Sequence, residues 1–317
     1  MMHERRVFLL MTNGALTPHL SHEKQTVSFI TYTLGRAGRP SAPVRLLAVL
    51  IVAAAVLAAG SAWAVASVRI QCVGDSITAG YTDNPNWNVP FQFGYRSGLY
   101  TRLTNAGYPF QFVGASAEPW NGAFGLPKNT PSPDLRTVNQ DHHRGYGGWG
   151  TSGVLSNIGG WLAADNPDVI LLMIGINDGG SAAARNNLNS IVQTIVTTKP
   201  NADVIVAQIT PKASYSQSIV DYNTYIRETL VPSYRAQGKH VSTVNQYANL
   251  LSNGAIDPSL FSNGINHPNA VAYNRMAQTW YDGIQAVHPV PEPSAIVLLA
   301  AGLLGLLAHA WRRKRTV

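Results

Sequence analysis

Apolar runs alternate with amphipathic stretches along the middle of the chain. Residues 168–174 are almost entirely apolar, follow Pro167 and end at Gly175, which is the pattern of a central parallel strand buried on both faces. Shorter runs of the same kind occur at 68–73, 110–113, 203–208 and 241–244. The pattern therefore predicts five strands.

Apolar side chains recur at helical spacing between these runs. The predicted helices cover 94–106, 182–198, 220–236 and 269–287, the third of them in spite of Pro232. Strands that alternate with helices are typical of an α/β domain with a parallel sheet. We predict a single flavodoxin-like three-layer sandwich with a five-stranded parallel sheet, in which ligands bind beyond the carboxyl ends of the strands.

The N-terminal region has the pattern of an export signal. Residues 46–68 carry no charge, follow three arginines and contain small residues at 62–66 with the spacing of a signal-peptidase site. We predict that residues 1–66 form an N-terminal extension and a cleaved signal peptide. A retained transmembrane anchor is the alternative, because the run is long enough to span a membrane.

The C-terminal segment, residues 290–317, contains Pro291-Glu292-Pro293, then an uncharged stretch rich in Leu and Ala, and ends in a basic cluster at 312–315. This order of features resembles the PEP-CTERM sorting tail of Gram-negative bacteria and covers about the last 27 residues. The resemblance implies processing by an exosortase and delivery to the cell surface or extracellular matrix. Read without it, the segment is a membrane helix of marginal length with a cytoplasmic basic end.

The net charge of +7 belongs to the two terminal segments. Residues 67–289, the predicted folded domain, carry thirteen basic and thirteen acidic side chains. A neutral domain argues against nucleic acid as a partner and confines membrane contact to the termini. Cys72 is the only cysteine, so an intrachain disulfide and a cysteine metal site are excluded, and we expect it to be buried on a strand.

Four loops at the predicted strand ends carry groups suited to acyl transfer. Ser76 follows the first strand, Asn177 follows the run at 168–174, His267 precedes the last helix, and residues 145–150 form a Gly-rich turn. A serine needs a base such as histidine to remove its proton, and the tetrahedral oxyanion needs converging N–H donors. We predict Ser76 as nucleophile, His267 as base, and the Ser76 amide, Gly148 amide and Asn177 side chain as the oxyanion hole.

Each motif alone is more typical of an ordinary turn than of catalysis. The four motifs in order favour an active site. We expect Asp75 and Asp178 to brace turns, and His142 and His143 to brace a loop and not to bind a metal. No nucleotide or metal motif accompanies the four loops, so no cofactor and no metal are predicted.

With these four blocks, the stretch 68–284 resembles the SGNH (GDSL-like) hydrolases. Residues 93–97 and 143–149 look in addition like the third carbohydrate-esterase family, which contains acetylxylan esterases. The resemblance implies an esterase that deacetylates plant-type polysaccharide, with an acylated carbohydrate as its substrate. Tryptophans in the loops, such as Trp87, Trp120 and Trp149, would suit stacking on sugar rings if they are exposed, and otherwise cover the core.

The chain departs from the family at the acid of the triad. The family usually places an Asp three residues before its His, and Gly264 occupies that position here. Asn263, Asp257 or a backbone carbonyl remain as groups that could orient His267. We therefore predict a Ser-His dyad or a weak triad. Two alternatives to the exported serine esterase stay open: a lipase or thioesterase of the same fold, and a surface-tethered glycan-binding pseudoenzyme.

Overall fold

The computed structural model describes residues 67–82, 93–118 and 134–289. Its main sheet is parallel throughout, with the strand order β2-β1-β4-β5-β6. The two-residue strand β3 also pairs with β1, beyond the end of β2. The strands are β1 Val68–Gly74, β2 Phe110–Val113, β3 Arg144–Gly145, β4 Val169–Met173, β5 Asp203–Gln208 and β6 Val241–Asn245.

Helices connect these strands in the order that the sequence predicts. They are α1 Ser76–Ala79, α2 Tyr95–Asn105, α3 Thr151–Asp165, α4 Ala182–Thr198, α5 Gln217–Tyr225, a π-helical turn Ile226–Leu230, α6 Val231–Ala236 and α7 Ala270–Val287. Between β6 and α7 lie two 3₁₀ turns, Tyr247–Leu250 and Pro258–Leu260, which flank a small antiparallel hairpin of β7 Leu251–Ser252 and β8 Ala255–Ile256.

The core lies on both faces of the sheet. All five residues of β4 are buried, as a central parallel strand requires. Helix α2 packs against α7, and α3 packs against α4. Cys72 is buried on β1, as expected, and burial raises the pKa of its thiol to about 12, so it stays protonated. The prediction of an α/β sandwich around a parallel sheet is confirmed.

The strand order reverses next to β1. The chain passes from β1 to β2 on one side and then to β4 on the other side. In doubly wound sheets such a reversal opens a crevice at the carboxyl ends of the strands. Here these ends are Gly74 on β1 and Met173 on β4, which places the loops with Ser76 and Asn177 beside each other.

Two predictions of local structure were incomplete. The helix predicted at 220–236 begins at Gln217, and a π turn interrupts it before Pro232, which lies in the first turn of α6. Proline lacks an N–H, so it fits where a helical segment begins. The strands β3, β7 and β8 were missed because a two-residue strand has no period to detect.

The predicted signal peptide and C-terminal apolar helix lie outside the described residues, as do Trp87 and Trp120. Within the described stretches, the length and hydropathy of the helices fall short of what a membrane span needs. The predicted domain boundaries at residues 66 and 290 stay predictions.

Candidate active site

Ser76 lies at the first position of α1, directly after the turn that ends β1. The Asp75 carboxylate caps this helix by accepting a hydrogen bond from the Ile77 N–H at 2.9 Å. Burial raises the pKa of Asp75 to about 7, against the opposing effect of that hydrogen bond and of His267. The turn therefore fixes the backbone of Ser76, whose side chain is only slightly exposed.

The side chains of Ser76 and His267 are in direct contact. The distance from Ser76 Oγ to His267 Nε2 is 2.8 Å, and both residues are buried. His267 precedes α7, whose N-cap Asn269 accepts a hydrogen bond from the Ala272 N–H. The Tyr81 ring packs against the imidazole in a T-shaped arrangement with a centroid distance of 5.9 Å. The structure thus brings the predicted nucleophile and base together.

Asn263 contacts the far side of the His267 ring. Its Oδ1 accepts hydrogen bonds from the N–H groups of Ile265, Asn266 and His267, each at 3.0 Å. Its Nδ2 lies 3.2 Å from His267 Nδ1 and 3.2 Å from Asn266 Oδ1. The structure therefore places the Asn263 amide against the Nδ1 side of the imidazole.

The prediction of Asp257 as a partner of His267 was wrong. Its carboxylate accepts hydrogen bonds from the N–H and the hydroxyl of Ser259 at 2.9 Å and 2.6 Å, and so caps the short 3₁₀ turn there. These hydrogen bonds hold the pKa of the solvent-facing Asp257 below its usual value. A short polar side chain before proline at a helix start is a capping signal, which accounts for its place in the sequence.

The predicted oxyanion donors lie on neighbouring loops. Gly148 has a φ of +74°, which turns the backbone in a way that favours glycine. Within the described residues, the N–H groups of Ser76 and Gly148 have no acceptor. Asn177 Nδ2 donates one hydrogen to the Trp149 carbonyl at 2.8 Å, which leaves its second hydrogen for another acceptor.

Hydrogen bonds tie these loops to one another. The Tyr146 N–H donates to the Gly74 carbonyl at 3.2 Å, which joins the Gly-rich loop to the turn before Ser76. Asp178 accepts from the N–H and the hydroxyl of Thr151 and so joins the loop after β4 to the start of α3. The bracing roles expected of Asp75 and Asp178 are confirmed.

Sequence reasoning missed Glu118 and Tyr81. The buried Glu118 carboxylate accepts hydrogen bonds from the Tyr81 hydroxyl and the Gly147 N–H. Tyr81, which borders His267, thus links the imidazole to the Gly-rich loop. No local pattern marks either residue, because Glu118 lies 37 positions from Tyr81 and belongs to no regular element.

The stretch 93–97 packs against α1, the helix that begins at Ser76. The fully buried Arg96 donates to the carbonyls of Thr78, Ala79 and Asp141. Gly80, with a φ of +102°, lies so close to the Phe93–Gly94 backbone that a Cβ would come within 2.4 Å of it. The stretch 93–97 therefore has a structural role, because it holds the carboxyl end of α1 in place.

His142 and His143 brace their loop. The buried His143 accepts a hydrogen bond from the Gly145 N–H at Nδ1 and donates from Nε2 to the Glu118 carbonyl. Burial, together with the charge of Arg96, lowers its pKa well below the usual value, so the ring is neutral. His142 Nδ1 lies 3.2 Å from the Gly114 carbonyl. The loop-bracing prediction is confirmed.

Trp149 is half-buried beside Gly148. Its ring stacks on Tyr146 with a centroid distance of 4.4 Å, and on the buried Trp161 at 5.9 Å. The guanidinium of Arg144 lies over Trp161 and forms a buried ion pair with Asp165 at 2.7 Å. Trp149 therefore packs against the core and stays only partly buried, next to a predicted oxyanion donor.

The domain that contains this site matches a known family model. The model of the GDSL-like Lipase/Acylhydrolase family matches residues 72–275, and the chain belongs to this family. The model of the PEP-CTERM protein-sorting motif matches residues 289–314. Family membership makes the protein an esterase or acylhydrolase, and the motif supports export and sorting to the cell surface.

Individual proteins are similar over parts of the chain. A family 3 carbohydrate esterase of Clostridium thermocellum has 28% identity and a TM-score of 0.50, over 68% of this chain and 94% of that one. A family 3 carbohydrate esterase of Talaromyces cellulolyticus shares the fold at 21% identity and a TM-score of 0.54, over 71% and 100%. "Putative endoglucanase X" of Acetivibrio thermocellus is 32% identical over 133 residues, 40% of this chain; the chain spans about half, 54%, of that protein.

Proposed function

We propose that the protein is an exported serine esterase that removes short acyl groups, above all acetyl, from extracellular polysaccharide. The contact of 2.8 Å between Ser76 Oγ and His267 Nε2 carries this proposal. Both groups are buried at the reversal of the strand order, beside backbone N–H groups without an acceptor in the described residues. A hydroxyl, an imidazole and free N–H donors at one site are what acyl transfer uses.

The reaction has two halves. Ser76 Oγ attacks the ester carbonyl carbon while its proton passes to His267 Nε2, and the imidazolium then protonates the leaving sugar oxygen. Water next attacks the acyl-serine ester, His267 takes one of its protons, and the carboxylic acid leaves as Ser76 regains its hydrogen. No redox change occurs, and no group beyond water is consumed.

The N–H groups of Ser76 and Gly148 and the second hydrogen of Asn177 stabilise the oxyanion in both halves. Their loops are held by the hydrogen bonds to Gly74 and Trp149 described above, so they need little reorganisation during the reaction. Loss of one such donor lowers kcat by about 10²- to 10³-fold in comparable hydrolases. Asn177→Ala is expected to lower kcat within this range.

Three observations favour a carbohydrate substrate. The carbohydrate esterase of Clostridium thermocellum is 28% identical over almost its whole length. The motifs at 93–97 and 143–149, which look like the third carbohydrate-esterase family, hold the nucleophile helix and the Gly-rich loop. Finally, Trp149, which is only partly buried, lies next to Gly148, where it can stack on a sugar.

The sorting motif supports the place of action. We propose that a signal peptidase removes residues 1–66 and that an exosortase recognises the segment 290–317, which leaves the esterase domain 67–289 at the surface, in the outer envelope or in the extracellular matrix of a Gram-negative bacterium.

Labelling with a fluorophosphonate probe tests the nucleophile before any substrate is known. The purified full-length protein is expected to carry the probe on Ser76, and Ser76→Ala to lose both labelling and the hydrolysis of chromogenic acetyl esters. Ser156→Ala, which changes an exposed hydroxyl on α3, is the control that keeps both. Absence of labelling together with retained glycan binding would establish the pseudoenzyme instead.

Chain length separates the remaining enzymatic candidates. An acetyl esterase hydrolyses acetyl esters faster than octanoyl esters, and releases acetate from acetylated xylan. A preference for octanoyl esters or for acyl thioesters in the same assay would favour a lipase or a thioesterase of the same fold.

A further inference from the structure

We propose that Glu118 is a positioning residue of the esterase: its carboxylate holds the Gly-rich loop so that the Gly148 N–H faces the oxyanion. This inference rests on the function proposed above. It deepens that function because it assigns the residue that orients one of the predicted oxyanion donors. The argument starts from the turn that contains Gly148.

Gly148 lies in a tight turn with two adjacent glycines. The Trp149 N–H donates to the Tyr146 carbonyl at 3.2 Å and so closes a four-residue turn. Gly148, the third residue of this turn, has a φ of +74°, whereas the φ of Gly147 is not positive, and this is the pattern of a type II turn. Glycine at both central positions permits other backbone conformations as well. The direction of the Gly148 N–H therefore depends on the contacts that hold the turn on either side.

A side chain holds each side of this turn. On the C-terminal side, Asn177 Nδ2 donates to the Trp149 carbonyl at 2.8 Å. On the N-terminal side, Glu118 Oε2 accepts the Gly147 N–H, and a hydrogen bond to a carboxylate is stronger than one between neutral groups. The peptide planes that carry the N–H groups of Gly147 and Gly148 meet at the Gly147 Cα. Restraint of the first plane by Glu118 therefore restricts the second.

The backbone around Glu118 is held without help from its carboxylate. The carbonyl of Glu118 accepts a hydrogen bond from His143 Nε2 at 2.9 Å. Two residues earlier, the Ser116 N–H donates to the His143 carbonyl at 3.0 Å, and the Ser116 hydroxyl donates to the Gly145 carbonyl at 2.7 Å. These hydrogen bonds remain when the carboxylate is exchanged. A variant of the Glu118 side chain therefore tests the carboxylate itself.

The same carboxylate oxygen also reaches the side of the proposed base. Glu118 Oε2 accepts the Tyr81 hydroxyl at 2.9 Å, and the Tyr81 ring packs against His267 with a centroid distance of 5.9 Å. One oxygen thus receives two donors, one from the turn with Gly148 and one from the neighbour of the imidazole. Loss of the carboxylate would release both.

Exchange of Glu118 tests this role. Glu118→Ala removes the acceptor of the Gly147 N–H and is expected to lower kcat for acetyl esters by about 10- to 100-fold, because a misplacement of about 1 Å can cost this much. KM should change little, since the oxyanion forms only in the transition state. Glu118→Gln offers the same two donors a carbonyl oxygen with two lone pairs, so kcat should stay within about threefold of the wild type. A wild-type kcat in the alanine variant, or a glutamine variant as slow as the alanine variant, would overturn the proposal.

A change of the atom that becomes the oxyanion separates positioning from a merely structural effect. A thionoester places sulfur there, and sulfur accepts hydrogen bonds more weakly than oxygen. The ratio of kcat for an ester to kcat for the matched thionoester should therefore be lower in Glu118→Ala than in the wild type. Gln140→Ala is the matched control: it removes a buried side chain that bonds the backbone of β2 at both ends, and it should lower Tm without a change in the ratio. An equal ratio in Glu118→Ala and the wild type would refute the role.

Tyr81→Phe decides the matter if Glu118→Ala does not fold. It keeps the ring beside His267 and takes one of the two donors away from Glu118. We expect kcat to fall by about two- to tenfold, the equivalent of one hydrogen bond, with a lower ester-to-thionoester ratio. Tyr108→Phe removes a buried hydroxyl that bonds the His288 carbonyl before β2, at the opposite edge of the sheet, and should keep both values. Equal values in the two phenylalanine variants would contradict the proposal.

Labelling with the fluorophosphonate probe distinguishes this inference from the proposed function. Glu118→Ala is expected to carry the probe on Ser76 like the wild type, but to react more slowly. A wild type that neither takes the probe nor hydrolyses any ester would refute the proposed function and this inference with it. Equal labelling rates and equal kcat in the wild type and Glu118→Ala would refute the positioning role alone.

Discussion

The Asp178 carboxylate accepts hydrogen bonds from both the N–H and the hydroxyl of Thr151, the first residue of α3. The N-cap of this helix is Gly150, which has no side chain to cap it. Asp178, 27 residues further along the chain, therefore does from the loop after β4 what an N-cap side chain does locally. The same contact sets the distance between the Gly-rich loop and the loop with Asn177.

Removal of this cap should affect both stability and rate. We expect Asp178→Ala to lower the free energy of unfolding by about 1–2 kcal/mol in urea denaturation. It should also lower kcat more than it raises KM, because Gly148 and Asn177 shift relative to Ser76. Asp178→Asn keeps one acceptor for the Thr151 N–H and is expected to lie between the alanine variant and the wild type. Equal kcat in all three proteins would contradict the expected effect of this cap on the positions of Gly148 and Asn177.

Replacement of the buried Arg96 should destabilise the domain. Its guanidinium satisfies three carbonyls at once, and a lysine cannot reach all three with one ammonium group. Arg96→Lys is expected to lower the free energy of unfolding by about 2–4 kcal/mol in urea denaturation. Arg235→Lys, at an exposed position of α6, serves as control with a change below about 0.5 kcal/mol. A similar change in both variants would show that the three carbonyls do not depend on Arg96.

Because of Asp75, the free energy of unfolding should fall as the pH rises, which is the opposite of what a carboxyl group with a lowered pKa causes. Its pKa rises from 3.8 in the unfolded chain to about 7 in the folded one, so the folded state binds the proton more tightly. The stabilisation is complete below pH 4, and is lost as the pH rises toward 7. Asp75→Asn stays neutral and keeps the Oδ1 acceptor for Ile77.

We therefore expect Asp75→Asn to equal the wild type in unfolding free energy at pH 4 and to exceed it at pH 8, by a few kcal/mol as an order of magnitude. Asp134→Asn provides the control, because the hydrogen bond from Arg136 lowers the pKa of that surface carboxyl and gives a dependence of opposite sign. An Asp75→Asn protein that follows the wild-type curve at every pH would refute the assignment.

Loss of one member of the ion pair between Arg144 and Asp165 should destabilise the domain. Both side chains are mostly buried, so Arg144→Met leaves a carboxylate without its cation and should lower the free energy of unfolding by about 3–5 kcal/mol. Arg144→Met combined with Asp165→Leu should recover part of this loss. Arg227→Met breaks an exposed pair with Glu228 and should change stability by less than about 1 kcal/mol.

Much of the fold could be predicted from the sequence because burial on both faces leaves a clear signal. The apolar run that contains β4 is consistent only with a buried element. Helix α4 carries its apolar residues at one helical spacing, and for this reason the predicted and observed bounds of α4 agree. The four motifs could be placed together because the carboxyl ends of parallel strands meet at one edge.

The rest of the site depends on contacts between distant residues, and such contacts leave no pattern in the local sequence. The link from Glu118 to Tyr81 and Gly147 joins three loops, and nothing in a loop sequence states which other loop it meets. The same holds for Asn263: the sequence left it open beside Asp257, and only the fold shows that the Asn263 amide lies 3.2 Å from His267 Nδ1 while the Asp257 carboxylate caps a turn.

The contact between Ser76 and His267 joins residues 191 positions apart, one after the first strand and the other before the last helix. An N-terminal fragment that lacks residue 267 contains the proposed nucleophile without its proposed base. During synthesis and passage across a membrane, the chain can therefore acquire this contact only after nearly the whole domain has emerged. The proposed nucleophile therefore meets its proposed base only when the fold is completed.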